Sequence, residues 1–319
     1  MFQKLVYLAS FVLVLGLVLS NVANGAPMPN AGWWKLDDGS GTIAHDSSGN
    51  GRHGLVEGAS TWTSPGWEGW GGCMRFGGDN DRITVESFDV TGSGITLSAW
   101  IKPINFQDDA RMISKSEGSG TADHYWAMIL SGSGEDNLEF RLRTNTGAAT
   151  RRTSPGGTEV PANEWTHVSV TWDAGDTYMR LYKNGQEIDS ISKAGSAVAT
   201  SPGAKIGIGN QSVSAGPAAA DMTRPFGGLV DDVRVYDYAL SANELKELLV
   251  AVFPAKASIP GPANGAEDVL RDVVLSWMPG EFADKHDVYL GTVFDDVNDA
   301  SRTNPTGCTG KSRPGRQYV

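Results

Sequence analysis

The sequence has 319 residues, including 40 Gly and 10 Trp, and only 20% of its residues are charged. This composition favours a turn-rich β protein and argues against a helical bundle or a coiled coil. With 37 acidic and 26 basic residues the net charge is −11, so a polyanion would be repelled and we predict no nucleic-acid partner. The chain has two cysteines, Cys73 and Cys308. They fall in regions that we interpret as different domains, so we predict no disulfide framework.

The first 25 residues have the layout of a secretory signal peptide. Lys4 precedes an uncharged run over residues 5–19, and the small residues Ala23 and Gly25 occupy the −3 and −1 positions of a cleavage site before Ala26. An uncleaved anchor is the alternative, but the run is shorter than the ~18–20 residues that a spanning helix needs. We therefore predict export, to the medium or the cell surface, and no membrane span in the mature chain.

Residues 30–250 read as a succession of short strands. Segments such as 95–102, 138–143 and 167–172 alternate apolar and polar residues, and Asn184-Gly185 is a strong two-residue hairpin signal between two such segments. About a dozen strands without interleaved helices predict an all-β, two-sheet antiparallel sandwich. One short C-terminal helix is predicted after Ser241, which lies three residues before a glutamate at the spacing of a capping box.

Several motifs in this region occur together and in a fixed order. They are the stretches 33–41 (WWKLDDGSG), 46–54 (DSSGNGRHG), 74–78 (MRFGG), 97–103 (LSAWIKP), 164–168 (EWTHV), 181–185 (LYKNG), 227–236 (GGLVDDVRVY) and 239–241 (ALS). This order resembles a laminin-G-like jelly roll of the concanavalin A-like lectin/glucanase superfamily. The resemblance covers the strand-rich region and implies its fold, but this fold hosts lectins, adhesion modules, glycosidases and spacers alike.

A calcium site is predicted at one end of this domain. Asp231 shares strand parity with Leu229, Val233 and Val235, so we expect its carboxylate to face the apolar side and to need a cation or hydrogen-bond donors. The loop 46–54 supplies oxygen ligands of the kind that Ca²⁺ prefers. The resemblance implies a structural calcium site at Asp46 and Asp231, with Asn50 as a third ligand. Alternatively, Asp46 forms an Asx-type turn and Asp231 bonds backbone amides.

Aromatic residues in the loop 61–71 are candidates for ligand binding. Exposed rings stack on the apolar faces of sugars, and Trp67 and Trp70 lie in this Gly-rich loop outside the family's motif positions. We predict that both bind ligand, with the segment 123–126 as a second candidate rim. Trp62 coincides with a family position and is expected to pack in the core.

No catalytic motif is recognised. A glucanase of this superfamily would carry two carboxylates a few residues apart on one strand, and the nearest approach, residues 135–139, reads as a solvated turn. The sequence has no His-Glu-x-x-His or Gly-x-Ser-x-Gly motif. We therefore predict a non-catalytic protein.

The C-terminal part changes character. Residues 251–262 contain three prolines and predict a linker. In residues 263–319 two predicted strands and the placement of Trp277 resemble a fibronectin type III-like domain, yet only about 60 of the roughly 100 residues of such a sandwich are present. We interpret this as an incomplete second β-sandwich, the truncated or frame-shifted end of a longer protein. A basic disordered tail is the alternative.

The sequence as a whole predicts an exported binding module that recognises polysaccharide or glycoprotein, with Ca²⁺ holding its loops. Two other functions stay open. One is a structural spacer or adhesion module of a larger protein, and the other is a glycoside hydrolase or lyase whose carboxylates are not recognised.

Overall fold

A computed structural model describes residues 26–249, apart from residues 70, 119–120, 133 and 212–223, and four further strands between 258 and 314. The predicted signal peptide, Trp70, and most of the predicted linker and tail lie outside the described residues. Contacts within the chain define two units, of which the first holds the jelly-roll region and the second holds the four C-terminal strands.

The first unit is built almost entirely of strands. In chain order, β1 to β16 are Gly32–Trp34, Ile43–Ala44, Gly54–Glu57, Thr61–Thr63, Cys73–Gly77, Arg82–Val85, Gly94–Asn105, Ala110–Ser116, His124–Ser131, Asn137–Leu142, Thr150–Thr153, Thr166–Asp173, Tyr178–Lys183, Gln186–Ser192, Ile206–Ile208 and Gly227–Tyr236. A single turn of 3-10 helix, Thr121–Asp123, precedes β9.

These strands form two antiparallel sheets. Sheet A has the order β14-β13-β12-β7-β16-β5-β4, with β1 also paired to β16, and sheet B has the order β11-β10-β9-β8-β15-β6-β3-β2. Neighbours in both sheets are antiparallel. The prediction of an all-β, two-sheet sandwich is confirmed.

The core lies between the two sheets and follows the alternation of the sequence. On β7, Ile95, Leu97, Ala99 and Ile101 are fully buried members of the core, so the residues between them, including Trp100, face the opposite side. The same rule places Val168, Val170 and Trp172 of β12 inside. The outer face of sheet A therefore carries a set of polar and aromatic side chains.

The predicted hairpin joins β13 to β14. Lys183 pairs with Gln186, and the two residues between them have positive φ angles of 47° for Asn184 and 68° for Gly185. Positive φ at both central residues is the requirement of a type I′ turn, which asparagine and glycine satisfy at least cost.

The one α-helix described, α1, spans Ala242–Glu247. Ser241 caps it as predicted, because its side chain accepts from the Glu244 amide while the Glu244 carboxylate accepts from the Ser241 amide. Leu245 and the following Leu248 are buried in a cluster with Tyr182 and Tyr236. The helix is thereby fixed on sheet A, since these tyrosines belong to β13 and β16.

The second unit contains strands β17 (Ser258–Gly261), β18 (Ser276–Met278), β19 (Lys285–Leu290) and β20 (Thr309–Pro314). They form two antiparallel pairs, β17 with β18 and β19 with β20. Strand β17 lies within the predicted linker. A fibronectin type III-like domain over 263–319 stays a prediction.

Within the described part of the chain, no helix has both the length and the apolar character needed to cross a membrane.

Candidate functional site

A pair of stacked tryptophans marks the outer face of sheet A. The Trp67 ring lies parallel to the Trp100 ring, with 4.0 Å between the centroids and 9° between the planes. His167, which pairs directly with Trp100 across β12 and β7, meets the Trp100 ring edge-on at 5.3 Å. Both indoles are partly exposed. The predicted ligand-binding residue Trp67 is therefore supported from below by a second ring.

Asp231 holds Trp67 in this position. Its Oδ2 accepts a hydrogen bond from the Trp67 backbone amide at 3.0 Å, and Asp231 pairs with Trp100 in the register of β16 and β7. Because directly paired residues share a face, the Asp231 side chain lies on the outer face of sheet A, beneath the loop that carries Trp67.

This placement corrects the expectation that Asp231 faces the apolar side. The register of β16 shifts between Asp231 and Arg234, where Asp232 has a positive φ of 50°. Such a β-bulge adds one residue and breaks the alternation. Val230 before it and Val233 after it both reach the core, whereas Asp231 does not share their side. Simple parity counting from Val233 was wrong for this reason.

Four buried polar atoms lie around the stacked rings. They are Trp100 Nε1, His167 Nδ1, Ser98 Oγ and Ser169 Oγ, and none has a hydrogen-bond partner among the described residues. Ser98 pairs with Ser169 as Trp100 pairs with His167, so the four groups form two adjacent rows on one face. Burial, with a smaller contribution from the positive charge of Arg234, lowers the pKa of His167 to about 3. The imidazole is therefore neutral near pH 7.

The predicted calcium ligand Asp46 is surrounded by hydrogen-bond donors. Its Oδ1 accepts from the amides of Trp33 (3.0 Å) and Ser48 (2.9 Å), and its Oδ2 accepts from Ser48 Oγ (2.8 Å) and the Arg52 amide (2.9 Å). Burial raises the pKa of Asp46, but these hydrogen bonds outweigh it and hold the pKa below its usual value. The contact with Ser48 is an Asx turn, as the alternative interpretation has it.

The three predicted ligands do not fit a calcium shell as they are arranged. N–H and O–H groups, which repel a cation, already point at both oxygens of Asp46, and Asp231 binds the Trp67 amide. Asn50 uses its side-chain amide to donate to the Asn30 carbonyl and to Ser48 Oγ. Within the described residues, no group of three or more His, Cys, Asp or Glu side chains is placed to hold a metal ion. Calcium binding stays a prediction.

We expect Asp46→Asn to destabilise the domain by about 1–3 kcal/mol, because one acceptor oxygen becomes a donor that faces other donors. The loss should be the same in Ca²⁺ and in EDTA, as measured by urea unfolding, and Asn50→Ala should cost less. A rise in melting temperature with Ca²⁺ in the parent chain, abolished in Asp46→Asn, would instead establish the calcium site.

A second set of polar residues, on the outer face of sheet B, forms a network of buried charges. Arg141 Nε donates to Glu139 Oε1 at 2.5 Å, and Arg141 Nη2 donates to Asp109 Oδ1 at 2.6 Å. Arg111 Nη1 donates to the Asp109 carbonyl at 2.6 Å, and its Nη2 lies 3.0 Å from His124 Nε2. Glu139, Arg111 and His124 are fully buried.

The charges of this network shift the pKa values of its members, and its ion pairs stabilise the buried charged side chains. Burial raises the pKa of Asp109, but its hydrogen bond and charge pairing with Arg141 hold the pKa below the usual value. Burial, reinforced by the positive charge of Arg141, lowers the pKa of Arg111 to about 9. Glu139 also accepts from Thr153 Oγ1 at 2.5 Å. Its carboxylate thus accepts hydrogen bonds on both oxygens.

Residues 135 and 136 lie in a turn before β10, as predicted, but the network corrects the interpretation of Glu139 as part of that solvated turn. Glu139 lies within β10 and is fully buried. The alternation of apolar and polar residues predicts this strand and its two faces, with Leu138 and Phe140 in the core and Glu139 and Arg141 on the other face. Alternation shows that a strand has two different faces, but it does not show whether the polar face is buried.

Comparison with known families and structures agrees with this architecture. A family model described as the concanavalin A-like lectin/glucanases superfamily (Laminin_G_3) matches residues 76–246. Comparison with curated proteins gave no match.

Three solved structures have a similar fold. One is domain 4 of AbnA, a GH43 extracellular arabinanase from Geobacillus stearothermophilus, in complex with arabinotriose, at 19% identity and a TM-score of 0.51, with 69% of this chain and 97% of that chain covered. The second is the binding domain of Paraclostridial Mosquitocidal Protein 1, at 18% identity and a TM-score of 0.50, with 70% of this chain and 53% of that chain covered. The third is the receptor binding domain of botulinum neurotoxin C/D mosaic serotype, at 15% identity and a TM-score of 0.50, with 73% of this chain and 53% of that chain covered. The match spans about half of each toxin chain.

At these identities the solved structures support the fold alone, whereas the family model covers more than half of the 319 residues. The chain belongs to the Laminin_G_3 family of the concanavalin A-like lectin/glucanases superfamily.

Proposed function

We propose that this chain is an exported, non-catalytic carbohydrate-binding module and that Trp67 is part of its sugar-binding surface. The carrying observation is the partly exposed Trp67 ring, which is stacked on Trp100 and held at its backbone by Asp231. A flat aromatic ring offers an apolar face on which a sugar ring can stack. The arabinanase domain that shares this fold was solved with arabinotriose, which supports a sugar as the ligand class.

The charges near Trp67 bear on the ligand. Asp231 pairs with Trp100. Burial, with smaller contributions from the negative charges of Asp231 and Asp37, raises the pKa of the nearby Cys73 thiol to about 12, while the positive charge of Lys102 opposes the rise. Negative charge at this position disfavours acidic sugars. We therefore propose a polysaccharide or glycoprotein glycan that is neutral where it meets the stack.

We expect Trp67→Ala to weaken binding to a neutral polysaccharide by about 1–3 kcal/mol, because truncation of an aromatic anchor removes its stacking area. Trp67→Phe should retain most of the affinity. The measurement is native affinity electrophoresis of the full chain in gels that contain arabinan, xylan, mixed-linkage β-glucan or polygalacturonate, each with Ca²⁺ and with EDTA.

The matched control is Tyr178→Ala. Tyr178 is an exposed aromatic residue of the same sheet, but it pairs with Asp173 at the opposite end of β12 from His167. Unchanged retardation of Tyr178→Ala, beside the loss in Trp67→Ala, would support the stack as the site. If the parent chain is retarded by none of the glycans, the proposal fails and a spacer or adhesion role takes its place. Release of reducing sugar during the assay would indicate an enzyme.

A further inference from the structure

The face shared by the two stacked indoles is the most promising ligand surface of this domain. Two parallel aromatic rings at 4.0 Å cover one face of each other, and that arrangement keeps apolar area from water in the same way that a bound sugar ring would. The Trp67 backbone is fixed through its amide to Asp231, and this bond does not involve the Trp67 side chain.

The polar atoms beside Trp100 are an independent sign of a ligand. Trp100 Nε1, His167 Nδ1, Ser98 Oγ and Ser169 Oγ are buried without a hydrogen-bond partner among the residues described. Buried polar groups in folded proteins are nearly always hydrogen-bonded, so four unpartnered atoms in two neighbouring rows call for an external partner. The rows are formed by direct pairing of Ser98 with Ser169 and of Trp100 with His167.

The chemistry of these four groups selects a neutral, hydroxylated partner. The indole N–H only donates, a serine hydroxyl both donates and accepts, and a neutral imidazole nitrogen does one or the other according to its tautomer. His167 is neutral near pH 7, and Arg234, which pairs with Ser98 from β16, is already engaged by Asp232. Sugar hydroxyl groups, which both donate and accept, match such a set. A carboxylate could accept from these groups, but it would bring a second negative charge beside Asp231, which pairs with Trp100.

We propose that a neutral sugar ring inserts between Trp67 and Trp100 and that its hydroxyl groups bind Trp100 Nε1, His167 Nδ1, Ser98 and Ser169, directly or through water. This mode rests on the proposed function and specifies its site. Insertion separates the rings to about 7–8 Å, twice a van der Waals contact distance, by rotation of the Trp67 side chain about its anchored backbone. The collapsed stack is the ligand-free state.

The first test is optical. Two indoles stacked at this distance couple their transitions and give an exciton couplet in the ultraviolet circular dichroism spectrum of the full chain. We expect the couplet to be absent in Trp67→Ala and to collapse when the parent chain is saturated with arabinotriose, xylotriose or cellotriose, whichever binds. Saturable binding with the couplet intact would overturn insertion, since the sugar would then lie outside the stack.

The second test uses the double variant Ser98→Ala/Ser169→Ala. We expect at least a tenfold loss of affinity for the same trisaccharide in calorimetry, with an unchanged or higher melting temperature, because the hydroxyls removed are buried and unpartnered. Ser190→Ala on β14 of the same sheet is the control and should bind as the parent does. Full affinity in the double variant would overturn the assignment of these hydroxyls.

The outcomes separate the two proposals. One outcome is that Trp67→Ala loses binding, while the couplet stays intact on binding and the double serine variant keeps normal affinity. This outcome would support the carbohydrate-binding function and overturn the insertion mode. Absence of glycan binding by the parent chain would overturn both. Preference for trigalacturonate over every neutral trisaccharide would overturn the neutral ligand class.

Discussion

Glu139→Leu is expected to destabilise the domain by about 3–5 kcal/mol, the usual cost of removing one partner of a buried ion pair. Arg141 is only 1% exposed and would lose the carboxylate that accepts from its Nε, while its ion pair with Asp109 would remain. The measurement is urea unfolding followed by tryptophan fluorescence.

The matched control is the double variant Glu139→Leu/Arg141→Met. A well-packed apolar pair can replace a buried ion pair at little net cost, so the double variant should lose less stability than the two single changes added together. Additive losses, or a cost below about 1 kcal/mol for Glu139→Leu alone, would show that the network does not carry the stability assigned to it here.

Acidification from pH 6.5 towards pH 3 is expected to destabilise the domain through His167. In the unfolded chain this imidazole takes up a proton near pH 6.5, whereas in the folded chain burial lowers its pKa to about 3. Between these values the unfolded state binds more protons, so stability falls as the pH falls, by about 1.4 kcal/mol per pH unit and up to about 4–5 kcal/mol in total.

His167→Gln should remove this slope, and His45→Gln, which changes an exposed histidine, should keep it. The carboxylates of Asp46 and Asp109 have pKa values below the usual ones, and their contribution is lost in the same direction but only as the pH falls below about 4. Urea unfolding between pH 6.5 and 4.5 therefore avoids the loss from these two carboxylates. Burial raises the pKa values of Asp37 and Glu135, whose contribution has the opposite sign, and the difference between the parent chain and His167→Gln cancels it. Equal slopes in the parent chain and in His167→Gln would contradict the assignment.

Much of the fold could be predicted because the local signals agree with one another. The alternation along β7, the Asn184-Gly185 turn and the Ser241 capping box each specify one element with little dependence on distant residues. The strands Ile43–Ala44 and Thr150–Thr153 carry no such signal and are short. They lack an apolar period of useful length, and their pairing depends on neighbours that are distant in sequence.

The candidate site could be predicted only in part. Trp67 was identified by its type and its Gly-rich surroundings, but its partner Trp100 lies 33 positions away and becomes a neighbour only through the fold. The sequence correctly indicates that the Asp231 carboxylate needs hydrogen-bond donors. The predicted face of the sheet is wrong, because counting alternate residues along a strand does not reveal a β-bulge. The buried network of Glu139 and Arg141 was missed because a polar strand face is ordinarily solvated.

The bulge in β16 also has a consequence for how this surface can vary among related chains. A regular strand would give one outward-facing position where this chain has Asp231 and Asp232, of which the first binds the Trp67 amide and the second accepts from Trp33 Nε1. A homologue one residue shorter here would keep Val230 and Val233 in the core, so its fold would survive the deletion. It would have a single acid for two anchors, and would lose either the bond to the Trp67 amide or the bond to the Trp33 side chain, while the backbone pairing of β1 with β16 would remain. Insertion or deletion of one residue at this point can therefore change the ligand surface while the residues of the core stay the same.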